Sequence, residues 1–300
     1  MGLPRSGTTH LLNLIASDTR LKSIPYWESL RPFPENLSDL NPNNDPRKDL
    51  AFKEYKNFLQ TMPLLKSMHD MHPNHIHEEI ELQAMDFSTY LPEWLAYVPE
   101  WRDYYLKNEQ IHHYKYLKDI LKAMQFIKGP KRWVLKSPQH LEQINPLIKT
   151  FPDATFVITY RDPLSVVLST ATMLSYGDRL RRYKVEPKIN FNYWHNRIKI
   201  LLQRFTKDYE AIPLKQRCDV FFNDLIKDNL GSIKNIYSKN FLALNNLASD
   251  EIQEYIALNK RDKHGQVIYN LEDFEVNKSE FYKSFEFYYK KFRDSRSYLG

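Results

Sequence analysis

A chain of 300 residues with 42% hydrophobic content reads as an ordinary globular protein, expected as one domain over 1–300. Its net charge of +6 suits an anionic ligand, yet 43 basic against 37 acidic residues, spread along the chain without a nucleic-acid module, argue against a nucleic-acid partner. The lone Cys218 rules out an intrachain disulfide and makes a cytoplasmic address the default, and no stretch approaches the roughly 20 apolar residues that span a bilayer.

In chain order, a glycine-bearing loop at residues 2–9 comes first, followed by a helix over 9–16 on the apolar stripe Leu11, Leu12, Leu14 and Ile15. Residues 31–47, rich in Pro, Asn and Asp, read as a surface loop, and 49–68 and 101–127 as helices. Gly129-Pro130 turns the chain into a short strand at 132–135, and Leu141, Ile144, Leu147 and Ile148 mark the next helix. A second strand at 155–160 is apolar on both faces, as in a buried parallel sheet, and a helix opens near Pro163. The aromatics between Phe281 and Phe292 fall at helical spacing and read as packing. This order predicts an α/β fold, a doubly wound parallel sheet flanked by helices.

The opening segment Gly2-Leu3-Pro4-Arg5-Ser6-Gly7-Thr8-Thr9 carries two of the seven glycines directly before a helix. Backbone N–H groups there can curl around an anion, and the helix N-terminus adds its positive end. The spacing is P-loop-like, but Thr8 stands where a triphosphate-binding loop has its lysine, and the cation is Arg5 instead. A kinase-like phosphotransferase is therefore the weaker alternative. A buried strand should precede such a loop, yet only Met1 stands before Gly2, so the first strand is expected to be truncated and the chain could be an inactive nucleotide-binding relative.

Strand 155–160 ends in Arg161-Asp162-Pro163, with Ser169 on the next helix. An arginine at a strand's C-terminal end and a hydroxyl on the following helix converge on the crevice where open α/β sheets bind ligands. Arg261-Asp262-Lys263-His264-Gly265 is a late basic segment that, alone, is equally a charged loop.

Together these segments, with Trp27-Glu28 and the run from Trp133 to His140, resemble the sulfotransferases that use 3'-phosphoadenosine 5'-phosphosulfate (PAPS), over nearly the whole chain. The likeness is nearest the bacterial branch related to tyrosylprotein sulfotransferases, whose loop carries arginine. It departs at His10, where many cytosolic animal enzymes have an adenine-stacking tryptophan. The resemblance implies PAPS as donor and no metal. Arg5, Ser6, Gly7, Thr8 and Thr9 would hold the phosphosulfate, and Arg161 and Ser169, closed over by Lys263, His264 and Gly265, the 3'-phosphate.

Sulfuryl transfer needs a base for the acceptor and positive charge for the leaving bisphosphate. By resemblance Lys136, with Arg5, supplies the charge. Glu28 leads as base through its likeness to the glutamate of the tyrosylprotein branch; His140, Glu78 and Glu79 are the alternatives. His69, His72, His75 and His77 form a histidine cluster, but Pro73 interrupts any helix that would align them on a metal. The acceptor, an alcohol or amine on a small molecule, carbohydrate, lipid or peptide, is not legible in the sequence, nor is the oligomeric state.

Overall fold

The computed structural model describes residues 1–36, 45–239, 242–260, 267, 269 and 271–292. After the opening loop come α1 (Thr8–Ala16), β1 (Leu21–Lys22) and α2 (Tyr26–Leu30). A helical stretch follows: α3 (Pro46–Thr61), α4 (Leu65–Met68), α5 (Ile80–Ala84), α6 (Leu91–Leu95), α7 (Pro99–Lys107) and α8 (Ile111–Lys128). The helices expected over 49–68 and 101–127 are thus each two. Pro63, which has no N–H to continue a ladder, lies between the first pair, and residues 108–110 separate the second.

Next come β2 (Arg132–Trp133), a 3-10 turn (Pro138–Glu142), α9 (Ile144–Thr150) and β3 (Phe156–Tyr160). Then α10 (Pro163–Asp178), α11 (Pro187–Asp208), β4 (Arg217–Phe221), α12 (Phe222–Lys227), α13 (Asn229–Ser238), α14 (Asn246–Leu258), α15 (Lys278–Ser284) and α16 (Glu286–Lys291) complete the described chain.

Strands β3 and β4 pair in parallel, Phe156 opposite Arg217 through Tyr160 opposite Phe221. Their two faces feed two cores, as period-two alternation requires. Phe156, Ile158 and Tyr160 pack with Val166 and Val167 of α10, Trp194, Ile198 and Leu201 of α11, and the aromatics of α15 and α16. Cys218 and Val220 pack on the other side with Leu11, Leu14 and Ile15 of α1 and with Leu225, Ile233 and Ile252. The aromatic C-terminal helices therefore pack into the core, and helices cover both faces of a parallel α/β pair.

The sheet is not the single one expected. Among the described residues β1 and β2 form a second, separate parallel pair. Between the pairs lies a mostly apolar slot of about 500 Å³ bounded by Trp133 and Leu135 on one side, Phe156, Val157 and Thr159 on the other, and Leu12 and Leu121 above and below. Ahead of the loop, Gly2 makes one parallel bridge to Thr159, whose N–H donates to the Met1 carbonyl at 3.0 Å. Among the described residues β2 pairs with β1 alone. Among the described residues no helix is long and apolar enough to cross a membrane.

Candidate active site

The loop joining Gly2 to α1 is pinned beneath and open above. Ser6 is fully buried, and its hydroxyl hydrogen-bonds the Leu3 carbonyl and Thr159 Oγ1 (2.7 Å). Its side chain therefore anchors the loop to β3, not a ligand. Arg5 and Gly7 both take left-handed backbone (φ 60° and 80°). For Gly7 no other residue serves, since a Cβ would sit 2.9 Å from the Phe222 ring in addition to the unfavourable φ. No side chain caps the first turn of α1, so its N-terminal amides face the space above the loop.

Two guanidiniums meet over this turn. Arg161 leaves the end of β3, stacks 4.1 Å over the Phe222 ring and donates to the Arg5 carbonyl. Arg5 donates from Nε to Ser169 Oγ at 3.0 Å and from its terminal nitrogen to the Met68 carbonyl. Burial first, then the charge of Arg161, lowers the Arg5 pKa to about 10. Both cations remain charged at neutral pH and repel each other, which is the electrostatic demand for an anion between them. Asp162 fixes the geometry from behind. It caps α10 through Ser165 N–H (3.0 Å) and accepts the Tyr289 hydroxyl at 2.6 Å.

A third cation approaches from after β2. The Lys136 ammonium, almost wholly buried, donates to Thr9 Oγ1 at 3.0 Å and to Glu78. Its backbone N–H donates to Glu79 at 2.8 Å, while His140 Nε2 pairs with the other Glu79 oxygen and His140 Nδ1 with the Tyr114 hydroxyl (2.7 Å). Burial alone would raise the Glu79 pKa, but attraction to His140 and the hydrogen bonds it receives hold it below the usual carboxylate value. Glu79 is thus ionised and fully committed.

Glu28 is taken elsewhere. Its carboxylate pairs with Lys128 at the end of α8, beside the Trp27 ring over which Lys128 also lies (5.1 Å). The spacing from Arg5 put it near the loop; the long α8 supplies a partner that draws it away.

A cavity of about 440 Å³ opens over the loop. At one end it is lined by Arg5, Gly7, Thr8, Thr9, His10 and Arg161, and at the junction by His77, Glu78 and Glu81. Glu78 lines it, whereas Glu28, Glu79 and His140 do not. Of the proposed bases, Glu78 is the one presented to the cavity.

Comparison with known proteins bears on the family and the fold. The family model described as the sulfotransferase family matches residues 1–244. The chain belongs to the sulfotransferase family. Sulfotransferase STF9 from Mycobacterium avium superposes with a TM-score of 0.83 at 20% identity, over 97% of this chain and 75% of that one. Sulfotransferase STF1 from Mycobacterium tuberculosis H37Rv gives 0.81 at 24% identity, over 95% and 74%. These likenesses show a shared α/β fold. A search of curated proteins gives no significant match.

Within this sulfotransferase, Ser169 reaches the site through Arg5 and is 8% exposed, a support for the cation. Lys263, His264 and Gly265 lie outside the described residues. Of the histidine cluster, the rings of His69 and His77 lie 5.5 Å apart, while His72 packs on Phe52 and Tyr55 and His77 pairs with Glu81 at 3.1 Å. Sequence reading passed over the cavity's other end, lined by Phe58, Met62, Leu65, Met71, Leu91 and Trp94. Those residues come from three separate stretches, and each reads locally as ordinary packing.

Proposed function

We propose that this sulfotransferase transfers a sulfuryl group from PAPS to an acceptor hydroxyl or amine, in line, without a metal. The observation that carries the reading is the pairing of Arg5 and Arg161 over the Gly7 turn, two partly buried like charges beside uncapped helix amides. Such a site is complementary to a ligand carrying more than one anionic group, as a nucleoside with a 3'-phosphate and a 5'-phosphosulfate does. Arg161 and Ser169, with Lys263, His264 and Gly265 of the later segment, are assigned to the 3'-phosphate. Arg5, Thr8, Thr9 and the loop amides around Ser6 and Gly7 are assigned to the 5'-phosphosulfate.

Glu78 accepts the acceptor's proton as its oxygen bonds to sulfur and the bond from sulfur to the 5'-phosphate oxygen breaks. Lys136, released as Glu78 is neutralised, turns its ammonium to the leaving oxygen with Thr9. Glu79 holds the Lys136 backbone and His140 in place as a positioning residue. Adenosine 3',5'-bisphosphate and the proton complete the balance. Cys218 is buried and its thiol is pushed up to about 11 by burial. It takes no part, and a single inert thiol suits a cytoplasmic setting.

The test is calorimetric. Adenosine 3',5'-bisphosphate should bind tenfold or more tighter than AMP, given charge-assisted hydrogen bonds of about 1.5–3 kcal/mol each. Equal affinities, or turnover of Mg-ATP, would favour a kinase-like phosphotransferase, which Thr8 in the lysine position argues against.

A further inference from the structure

We infer that the acceptor is an apolar-bodied alcohol, a lipid-like molecule with one reacting hydroxyl, and not a sugar. This rests on the sulfotransferase reading of the site and deepens it. The lining residues fall into two groups. Those of the loop and strand end are cationic through Arg5 and Arg161, while the far end draws Phe58, Met62, Leu65, Met71, Leu91 and Trp94 from α3, the stretch around α4, and α6, with Tyr90 and Arg181 also in the lining.

Three features of the far end decide the class. Most of its wall is aliphatic, thioether or aromatic, with the buried Tyr90 hydroxyl and Arg181 as the polar exceptions, so most of a sugar's hydroxyls placed there would lose water without gaining a partner, whereas each methylene gains. Two methionines, unbranched and polarisable, suit an apolar body of variable shape. Exposed apolar side chains flank the mouth beside Arg181: Phe58, Leu95 and Leu180 line the cavity and are also 37%, 55% and 50% exposed. A chain longer than the cavity would therefore continue over apolar surface. The carboxylates of the lining are Glu78 and Glu81, and Glu78 meets the loop through Lys136 and Thr9. His69, also in the lining, is held well below its ordinary pKa by burial and then by His77 and Arg5, so it adds no charge there. An acceptor presenting one hydroxyl at the junction and an apolar body beyond it fits all of these features. The alcohol O–H gives its proton to Glu78, its oxygen bonds to sulfur, and adenosine 3',5'-bisphosphate leaves.

The experiment uses linear alkanols from hexanol to dodecanol, with glucose and trehalose as comparison. With saturating PAPS, kcat/KM should rise about three- to fourfold per added methylene, the transfer value of a buried CH₂, and both sugars should lie at least a hundredfold below dodecanol. Binding is read without turnover from quenching of Trp94 fluorescence by 12-bromododecanol, with Trp94→Phe as control. Leu95→Glu, at an exposed position, should weaken dodecanol tenfold or more and hexanol less, while adenosine 3',5'-bisphosphate binds as before. A flat chain-length series, a sugar as good as dodecanol, or no Trp94-dependent quenching in protein that still binds the bisphosphate overturns the acceptor inference alone. Quenching with no bisphosphate binding overturns the donor reading and leaves the apolar alcohol site standing.

Discussion

The carboxylate of Glu79 accepts the backbone N–H of Lys136 at 2.8 Å, joining residues 57 positions apart in a fully buried contact. Its other oxygen pairs with His140, so one side chain sets the backbone from which the Lys136 ammonium reaches Thr9 and Glu78. Glu79→Gln keeps the shape but weakens both bonds. Breaking a buried pair of this kind costs about 3–5 kcal/mol. Chemical denaturation of the variant should show a loss of that order, with kcat falling more than the affinity for adenosine 3',5'-bisphosphate.

The same residue sets a pH dependence. Because the folded-state pKa of Glu79 is depressed, its contribution is present above the unfolded carboxylate pKa and is lost as pH falls through the lower, folded value. Unfolding free energy should therefore drop on the acid side of the ordinary carboxylate range. Glu79→Gln should flatten that limb, and a limb equally steep in both proteins would remove Glu79 as its source.

Gly7→Ala introduces a Cβ at φ 80°, 2.9 Å from the Phe222 ring. The backbone term alone is about 1–2 kcal/mol. Movement of Phe222 would also disturb Arg161, which stacks on it. The variant should melt lower and bind adenosine 3',5'-bisphosphate more weakly, whereas Gly129→Ala, where nothing lies within 4 Å, should leave that affinity unchanged.

Arg197 is fully buried between Glu93 and Glu142, with bonds of 2.6–3.0 Å. Glu142 ends the 3-10 turn that carries His140, so this triad ties α11 and Glu93 of α6 to the site. Arg197→Met should cost about 3–5 kcal/mol because it strands two buried carboxylates. Replacing all three by apolar residues of similar size should recover most of that loss in equilibrium unfolding.

The slot between β2 and β3 predicts a gain. A segment of about five β-branched residues, joined ahead of Met1, could pair along both strand edges and bury apolar wall now lining empty space. The melting temperature should rise, and a proline-interrupted segment of the same length should not raise it.

The residues that meet around the loop were legible because each is set locally. The loop from Arg5 to Thr9, Arg161 with its Asp162-Pro163 cap, and Lys136 each follow from a turn or a strand end a few residues long. What was not legible depends on distant chain meeting. Glu28 stands at a suggestive distance from Arg5, but Lys128 at the end of α8 claims it, and no spacing rule reports that. Glu78 and Glu79 are neighbours with opposite fates, one lining the cavity and one sealed behind Lys136, a difference set by the chain from which Lys136 and His140 approach. The apolar end of the cavity was invisible for the same reason. The strand expected at 155–160 is found at Phe156–Tyr160, whereas the single sheet is two separate pairs among the described residues, because pairing depends on what fills the slot beside it.

We propose that Glu78 and Lys136 carry out sulfuryl transfer at the Arg5 loop. The most direct measurement is single-turnover transfer from labelled PAPS to dodecanol by the parent protein, Glu78→Gln and Lys136→Met, with bisphosphate affinity measured in parallel. Each variant should bind adenosine 3',5'-bisphosphate nearly as the parent does and lose about a hundredfold or more in rate, the ordinary contribution of a positioned base or charge. If Glu78→Gln transfers at the parent rate while Glu28→Gln or His140→Ala does not, the base lies elsewhere and this account of the site is wrong.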